Sequence, residues 1–481
     1  MKIVHAASEL FPFVKTGGLA DAAAALSQSL ARQGNPVAVF LPGYRAVLEH
    51  PRVREKARKA ITLGIEMDDQ FHHGEVLEVG LEKNLTLYLV CRDEFFDRRH
   101  PYGVGGRDYE DNGERFLFFA KAVVEALSQL RLKADIVHCH DWQTAMIPLL
   151  LRYEERRRSA VLAGRTLLTI HNLAFQGIFP MRLFPLTNLP EELRGMDGLE
   201  YYGQINYLKA GILFSDSVTT VSPTYGKEIL TPEFGCGLEG VLKTRKEDLF
   251  CQVNGIDTGL WNPADDPHLP AAYGPEDLSG KSRCQEKLLK QTGLKPKGKG
   301  PVYGMICRFT PQKGLELIRA NGGFFAKRDC RLVVLGSGGE EDERWFKELA
   351  AAHPGKISVN TGMNEALSHL IEAGADFFLM PSTFEPCGLN QMYSMRYGTV
   401  PLVSRVGGLA DTVTDIGRDP EEGTGILFPP TAEGLAEGLS RSLDLYADRP
   451  AMERAIRNGM SRDLSWDNAA AAYLRHYESL L

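Results

Sequence analysis

Twice along this chain, short apolar runs alternate with stretches of helical periodicity, joined by turns that carry glycine or polar residues. That alternation restricts the chain more than any other feature, because strand–helix–strand units in series close into parallel sheets covered by helices on both faces. In the first half the runs are Lys2–Ala7, Val37–Leu41, Asp135–Cys139, Thr166–Ile170 and Ser217–Val221. Leu63–Met67, Val76–Leu81 and Leu85–Val90 lie close enough to include antiparallel hairpins. A Pro-, Gly-, Lys- and Asp-rich segment, Pro263–Gly300, then interrupts the rhythm, broken by one helical stretch. The alternation resumes with Val302–Cys307, Arg331–Leu335, Ile357–Asn360, Ala375–Met380 and Val400–Ser404. A chain of 481 residues exceeds one ordinary core. The expected fold is therefore α/β, with two doubly wound Rossmann-like lobes at 1–255 and 256–462 and a cleft between them. A C-terminal helix at 463–481, with Trp466, Ala470, Tyr473 and Tyr477 on one stripe, is expected to pack back on the body. Helices are also expected over 112–130, 143–158, 201–214 and 388–397.

In such sheets the ligand meets the carboxyl ends of the strands. After Met380 comes Ser382-Thr-Phe-Glu-Pro-Cys-Gly-Leu389, a turn that brings the carboxylate of Glu385 beside a helix start at Cys387, Gly388 and Leu389. Helix starts hold anions, so this turn suits a ligand with a phosphate at one end and a neutral group at the other. Lys15-Thr-Gly-Gly18 is a second strand-to-helix turn, in which Gly17 and Gly18 would let backbone amides approach a pyrophosphate and Lys15 would add a point charge. It matches neither GxxxxGK[ST] nor GxGxxG. Two successive strands end in His140-Asp141-Trp142 and His171-Asn172, which delivers polar groups to one sheet edge. No His–Asp pair has metal-ligand spacing, so no catalytic metal is indicated.

Charge and composition narrow the partners. The net charge of −7 argues against nucleic acid, and the basic run Arg152–Arg158 reads as a solvated helix face. No stretch of about 20 apolar residues predicts a membrane span. The first residues are expected to enter a strand at once, with no signal peptide before it, and the eight cysteines are scattered without a CxxC pair. Both features predict a cytoplasmic protein with reduced thiols.

Taken together, KTGGLAD (15–21), HDWQTA (140–145), HNLAFQGIFP (171–180), YYGQINYLKAGI (201–212), VSPTYGKEILTPEFGCGLEG (221–240), NGID (254–257), RFTPQKG (308–314), STFEPCGLNQMYSMRYG (382–398) and GGLADTV (407–413) resemble the glycogen/starch synthase family. The resemblance runs nearly end to end. It implies a retaining glycosyltransferase of GT-B fold that moves glucose from ADP-glucose onto an α-1,4-glucan, without a cofactor. It implies an acceptor-side first lobe and a second lobe that binds the nucleotide sugar. By the same resemblance Arg308 and Lys313 meet the diphosphate, joined by Lys15, Gly17, Gly18 and Asp21. Glu385 holds the sugar, beside the amides of Cys387, Gly388 and Leu389. His171 meets the transferring glucose, with Asp141 near it. Asn254 joins the nucleotide sugar, and Tyr102, Trp142 and Asn172 face sugar or acceptor. The chain departs from the family at Met363, where a tyrosine usually stacks on adenine; methionine packs on a base less specifically. The alternatives are a related transferase using UDP-glucose or another acceptor, a dinucleotide oxidoreductase, and a non-catalytic glucan-binding protein.

Overall fold

The computed structural model describes residues 1–158, 161–295 and 298–481; residues 296 and 297 of the Pro263–Gly300 segment lie outside the described residues. The chain divides into two compact units. Unit 1 comprises Met1–Val221, Gly226–Gly255 and Trp466–Leu481, and unit 2 comprises Ile256–Ser465 with Ser222–Tyr225. The assignment of four residues from the middle of the first half to unit 2 has no signal in the sequence pattern. It rests on Asp411, whose carboxylate accepts from the Thr224 amide at 2.9 Å, the Thr224 hydroxyl at 2.6 Å and the Ser222 hydroxyl at 2.5 Å.

Unit 1 is built on a nine-stranded sheet. In chain order its strands are β1 (Ile3–Ala6), β2 (Val37–Pro42), β3 (Arg58–Met67), β4 (Gln70–Glu82), β5 (Leu85–Cys91), β6 (Ala134–His140), β7 (Ala163–Ile170), β8 (Ser217–Thr220) and β9 (Leu249–Cys251). They lie in the order β9-β8-β7-β6-β1-β2-β5-β4-β3. The pairs from β9 through to β5 are parallel, while β3, β4 and β5 form antiparallel hairpins. β1, β6 and β7 are buried along nearly their whole length, as strands covered on both faces must be. The strand order reverses at β1, so the turns after β1, β6 and β7 emerge side by side at the switch point.

Helix α1 (Gly18–Arg32) follows β1, and α2 (Asn112–Gln129) and α3 (Ile147–Arg158) flank β6. α3 starts at Ile147 and not at Gln143, because residues 142–146 form turns first. Its basic face is neutralised in part by Glu154, which accepts from Arg157 and Arg158. The helix expected over 201–214 is shorter: α4 spans Tyr207–Phe214, and Glu200–Tyr201 and Gln204–Asn206 are strands of a three-stranded sheet. Positive φ at Tyr202 and Gly203 turns that hairpin, and the Asn206 side chain caps α4 by accepting from the Lys209 amide at 2.9 Å. The C-terminal helix, Trp466–Leu480, packs on unit 1 with Trp466, Ala470, Tyr473 and Tyr477 buried.

Unit 2 carries β10 (Val302–Phe309), β11 (Arg331–Gly338), β12 (Ile357–Thr361), β13 (Phe377–Met380), β14 (Val400–Ser404) and β15 (Ile426–Phe428). Their order is β12-β11-β10-β13-β14-β15, and every pair is parallel. The order reverses between β10 and β13, whose following turns therefore meet. Helices α5 (Ser279–Gln291), α6 (Glu365–Gly374), α7 (Asn390–Arg396) and α8 (Gly407–Thr412) cover the sheet. Among the described residues no helix is long and apolar enough to cross a membrane.

Candidate active site

The switch point of unit 2 brings together the turn after β10 and the turn after β13. The first follows Arg308, near the end of β10, and contains a short 3-10 turn, Pro311–Lys313. The second is Pro381–Leu389, which leads into α7. Backbone bonds stitch the two: the Thr383 amide donates to Gln312 O at 2.9 Å, and Gln312 Nε2 donates to Phe384 O at 3.2 Å. Gly314 stands at φ 63° with an added Cβ only 1.9 Å from Pro381 O, so no larger residue fits there. This stitching sets Lys313 Nζ 2.5 Å from Glu385 Oε2, and the Ser382 hydroxyl donates to the same oxygen at 3.0 Å. Lys313 is thus one half of a largely buried ion pair. The resemblance implied a Lys313 that meets the diphosphate, and its pairing with Glu385 is added by the fold. Arg308 is exposed, and its guanidinium has no protein partner among the described residues.

α8 closes the turn from the other side. The Gly408 amide donates to Glu385 O at 3.0 Å, and an added Cβ would lie 2.1 Å from Cys387 O. Gly388 takes φ 71°, and neither its amide nor that of Leu389 donates to a protein acceptor among the described residues. Cys387 is buried and serves as backbone here, with its thiol inside. Met363, after β12, is fully exposed.

In unit 1 the Lys15–Gly18 turn is organised by a residue that no motif search singled out. Glu9 is 3% exposed, and its carboxylate accepts from the Thr16 amide at 2.5 Å, the Thr16 hydroxyl at 2.5 Å and the Gly17 amide at 3.2 Å. The expectation that the Gly17 amide is available to a phosphate is therefore corrected: Glu9 already holds it. Gly18, first residue of α1, retains a helix-start amide. An added Cβ on Gly17 would meet nothing within 4 Å. Lys15 is half exposed and pairs with Asp21 at 2.8 Å, so Asp21 holds the lysine.

Tyr102 also departs from its expected role. Its hydroxyl donates to Glu9 Oε1 at 2.8 Å and lies 2.7 Å from Ser8 Oγ, so it is occupied within the protein. Trp142 packs edge-on against Phe116 and Phe179, and an added Cβ on Gly177 would sit 2.4 Å from its ring. It supports the Gln176–Gly177 turn. Asn172 caps its own turn, with Oδ1 accepting from the Ala174 amide at 3.1 Å. Asn254 is buried in unit 1, close to the point where the chain passes to unit 2.

Because β6 and β7 are paired in parallel, Asp141 and His171 emerge together. Asp141 adopts φ 56°, and its carboxylate accepts from the His171 amide at 2.7 Å and from the Asn172 amide. Burial raises its pKa to about 7, against the lowering effect of those two amides, and the charge of Glu9 adds to the rise. His171 continues into a chain of imidazoles. His171 Nε2 is 3.0 Å from His140 Nδ1, and His140 Nε2 is 3.2 Å from His5 Nδ1. Burial lowers His171 and His5 to about 3 and holds His140 well below its ordinary value, so the chain is neutral. His138 stacks beside it, bonded to Tyr477 and Thr169. His5, His138 and His140 lie close enough together to suggest a metal site. Of their six ring nitrogens, however, only His5 Nε2 lacks a bond, so the cluster is a hydrogen-bond stack.

That free nitrogen sets the direction of the chain. A buried N–H without an acceptor is rarer than an unused lone pair. His5 Nε2 is then the lone pair, His5 and His140 each donate from Nδ1, and His171 carries its proton on Nδ1. An N–H donor fixed at a strand end is suited to a sugar hydroxyl.

Residues 2–244 match the family model described as the starch synthase catalytic domain, and residues 287–462 match glycosyl transferases group 1. The chain is 57% identical over 481 residues to a glycogen synthase of Opitutus terrae, covering 100% of both chains. It is 44% identical to glycogen synthase 2 of Geobacter sulfurreducens, over 98% of this chain and 97% of that one. Among solved structures it resembles the catalytic domain of starch synthase IV from Arabidopsis thaliana bound to ADP and acarbose, with TM-score 0.90, 34% identity and 99% of each chain covered. A sucrose-phosphate synthase from Thermosynechococcus elongatus, with TM-score 0.60 and 18% identity over 100% of this chain and 98% of that one, shares the fold.

Proposed function

The chain belongs to the glycogen and starch synthase family of glycosyltransferases, and on that premise we propose the roles its site residues play in moving glucose from ADP-glucose to the non-reducing end of an α-1,4-glucan, with retention of configuration. The observation that carries the reading is the cluster Arg308, Lys313 and Glu385 at the switch point of unit 2. Breaking the glucosyl–phosphate bond concentrates negative charge on the departing ADP. Arg308, without a counter-charge among the described residues, and Lys313, held in place by Glu385, supply fixed cations where that charge develops. Glu385, fixed by Lys313 and Ser382, orients sugar hydroxyls, and the free Gly388 and Leu389 amides add donors. The second unit is thus the nucleotide-sugar side. In unit 1, Lys15 and the Gly18 amide offer a cation and a helix-start donor to a phosphate; the open space at Gly17 leaves room for one to approach. His171 donates from Nδ1 to a hydroxyl of the transferring glucose, and Asn254 contributes to the sugar-binding edge.

Retention without a covalent intermediate is the mechanism these residues favour. Asp141 is spent on two backbone amides and Glu385 on Lys313, so neither carboxylate is free to attack the anomeric carbon. The leaving phosphate takes the acceptor proton on the same face. Isolation of a glycosyl-enzyme adduct would overturn this route. ADP-glucose is the proposed donor, although exposed Met363 offers the base a soft, unspecific contact. We assign the protein to the cytoplasm, where its eight free thiols are stable. The test supplies ADP-glucose and UDP-glucose separately with glycogen and measures nucleoside diphosphate release. Release from ADP-glucose with glycogen extension is expected. Release from UDP-glucose alone refutes the donor, and glycogen binding without release from either refutes catalysis.

A further inference from the structure

Unit 2 holds another convergence of side chains that the transfer chemistry does not use. α6 is capped by Asn364, whose side chain accepts from the Leu367 amide at 3.0 Å. Glu365 and His369 are four residues apart on this helix and share a face. The loop that follows Trp261 places His268 beside them. One ligand-competent atom from each of His268, Glu365 and His369 lies within 4.8 Å of the others.

His369 is the fixed member. It is 1% exposed and lies flat on Trp261, with ring centroids 4.0 Å apart and an interplanar angle of 7°. Its Nδ1 is 2.7 Å from Asp266 Oδ2, an oxygen that also accepts from the Tyr397 hydroxyl at 2.6 Å. Asp266 Oδ1 takes the His268 amide at 2.9 Å, which ties the loop to the same anchor. A carboxylate on Nδ1 fixes the imidazole as the Nδ1–H tautomer and turns the lone pair of Nε2 outward. That Nε2 is buried and has no hydrogen-bond partner. A buried, oriented and unused lone pair calls for an explanation. The His268 ring and the Glu365 carboxylate likewise make no hydrogen bond or ion pair among the described residues. His268 is half-buried and Glu365 exposed, so the group opens to solvent.

Two imidazoles and a carboxylate, with a second carboxylate behind one imidazole, form a donor set that suits zinc. Calcium and magnesium prefer oxygen shells and fit it poorly. A tetrahedral ion about 2.0–2.1 Å from its ligands needs ligand atoms roughly 3.4 Å apart. The solvent-facing side chains of His268 and Glu365 can close that gap while His369 stays in place. We propose that His268, Glu365 and His369 bind one zinc-class divalent ion, with Asp266 as the outer carboxylate and a fourth position open to water. The ion joins the start of α6 to the Trp261–Leu269 loop and so braces unit 2 just after Met363. Sequence spacing hides the site, because only Glu365-x3-His369 is local and the third ligand lies about a hundred residues earlier.

The test uses the full-length protein after chelator treatment, titrated with Co²⁺ and then Zn²⁺. One equivalent of Co²⁺ giving the visible bands of a tetrahedral nitrogen–oxygen site, displaced by Zn²⁺, is expected. His268→Ala and Glu365→Ala should each weaken binding by at least about tenfold. The double variant should lose the equivalent while melting like the wild type in chelator, since neither side chain is hydrogen-bonded or ion-paired among the described residues. A wild type that binds no tight equivalent overturns the proposal. So does a double variant with an unchanged spectrum, and so do sulfur-to-metal charge-transfer bands, which would place the ion on a thiol such as exposed Cys236.

Discussion

Lys313 cannot be replaced by just any positive charge, because it neutralises Glu385 as well as supplying the cation proposed for the diphosphate. Lys313→Ala should therefore cost more than one lost cation: Glu385 becomes a buried, unpaired carboxylate. Turnover is expected to fall by about 10²-fold or more, the scale of losing one transition-state donor. Arg308→Ala, with no partner to orphan among the described residues, should cost a similar factor in turnover without loss of thermal stability. Wild-type rates in both variants would remove the charge-stabilisation reading. The imidazole chain gives a prediction of a different kind. His171 should carry its proton on Nδ1 in the wild type, and His5→Phe, which keeps a ring but removes the terminal nitrogens, should release that constraint. Nitrogen NMR shifts of His171 report the tautomer directly. If they match between wild type and His5→Phe, His5 does not set the direction of the chain.

The two glycine pairs that look alike in sequence differ as elements. Gly408 is required by packing, since its Cβ position lies 2.1 Å from Cys387 O, whereas the Cβ position of Gly17 is open. Gly408→Ala is expected to destabilise unit 2 by about 1–3 kcal/mol, as overpacking does, and to disturb the Glu385 turn with it. Gly17→Ala should melt like the wild type yet weaken donor binding, read as a raised KM for ADP-glucose. A destabilised Gly17→Ala or a fully stable Gly408→Ala would reverse the assignment. The contrast also explains what could be read from sequence. The β10 and β13 turns were legible because a strand end, a charged residue and a helix start are all local signals. Glu9 was not: an acidic residue seven positions before the turn it organises looks like ordinary loop. Tyr102 and Trp142 were placed on sugar by resemblance, but their neighbours Ser8, Phe116 and Phe179 come from distant segments that no pattern joins. The start of α3 and the hairpin before α4 were missed because apolar spacing continues through turns that only backbone conformation reveals.

The two units also differ in how they respond to acid. Unit 1 buries four imidazoles held below their ordinary pKa: His5 and His171 at about 3, His138 and His140 well below the usual value, all through burial. Unfolded, each titrates near about 6.5. Between those values the unfolded chain binds protons that the folded unit refuses, so unit 1 loses stability as pH falls below about 6.5. Asp141 runs the other way: its folded pKa of about 7 exceeds its unfolded value, so its contribution is present at low pH and lost as pH rises through about 7. One carboxyl against four imidazoles leaves unit 1 acid-labile. Unit 2 holds buried Glu372 and half-buried Asp376, both raised by desolvation; Lys281 only partly counters this at Glu372, and the Val302 amide with Lys281 only partly at Asp376. Their contribution is likewise fully present at low pH and lost as pH rises, so acidification relieves unit 2 while it strains unit 1. Hydrogen exchange at about pH 5 and about pH 7.5, corrected for intrinsic rates, should therefore show protection falling in β1, β6 and β7 while β10 and β13 hold. Equal loss in both sheets would mean that the whole chain unfolds as one cooperative body. Earlier loss in β10 and β13 would mean that the buried histidines do not govern acid stability.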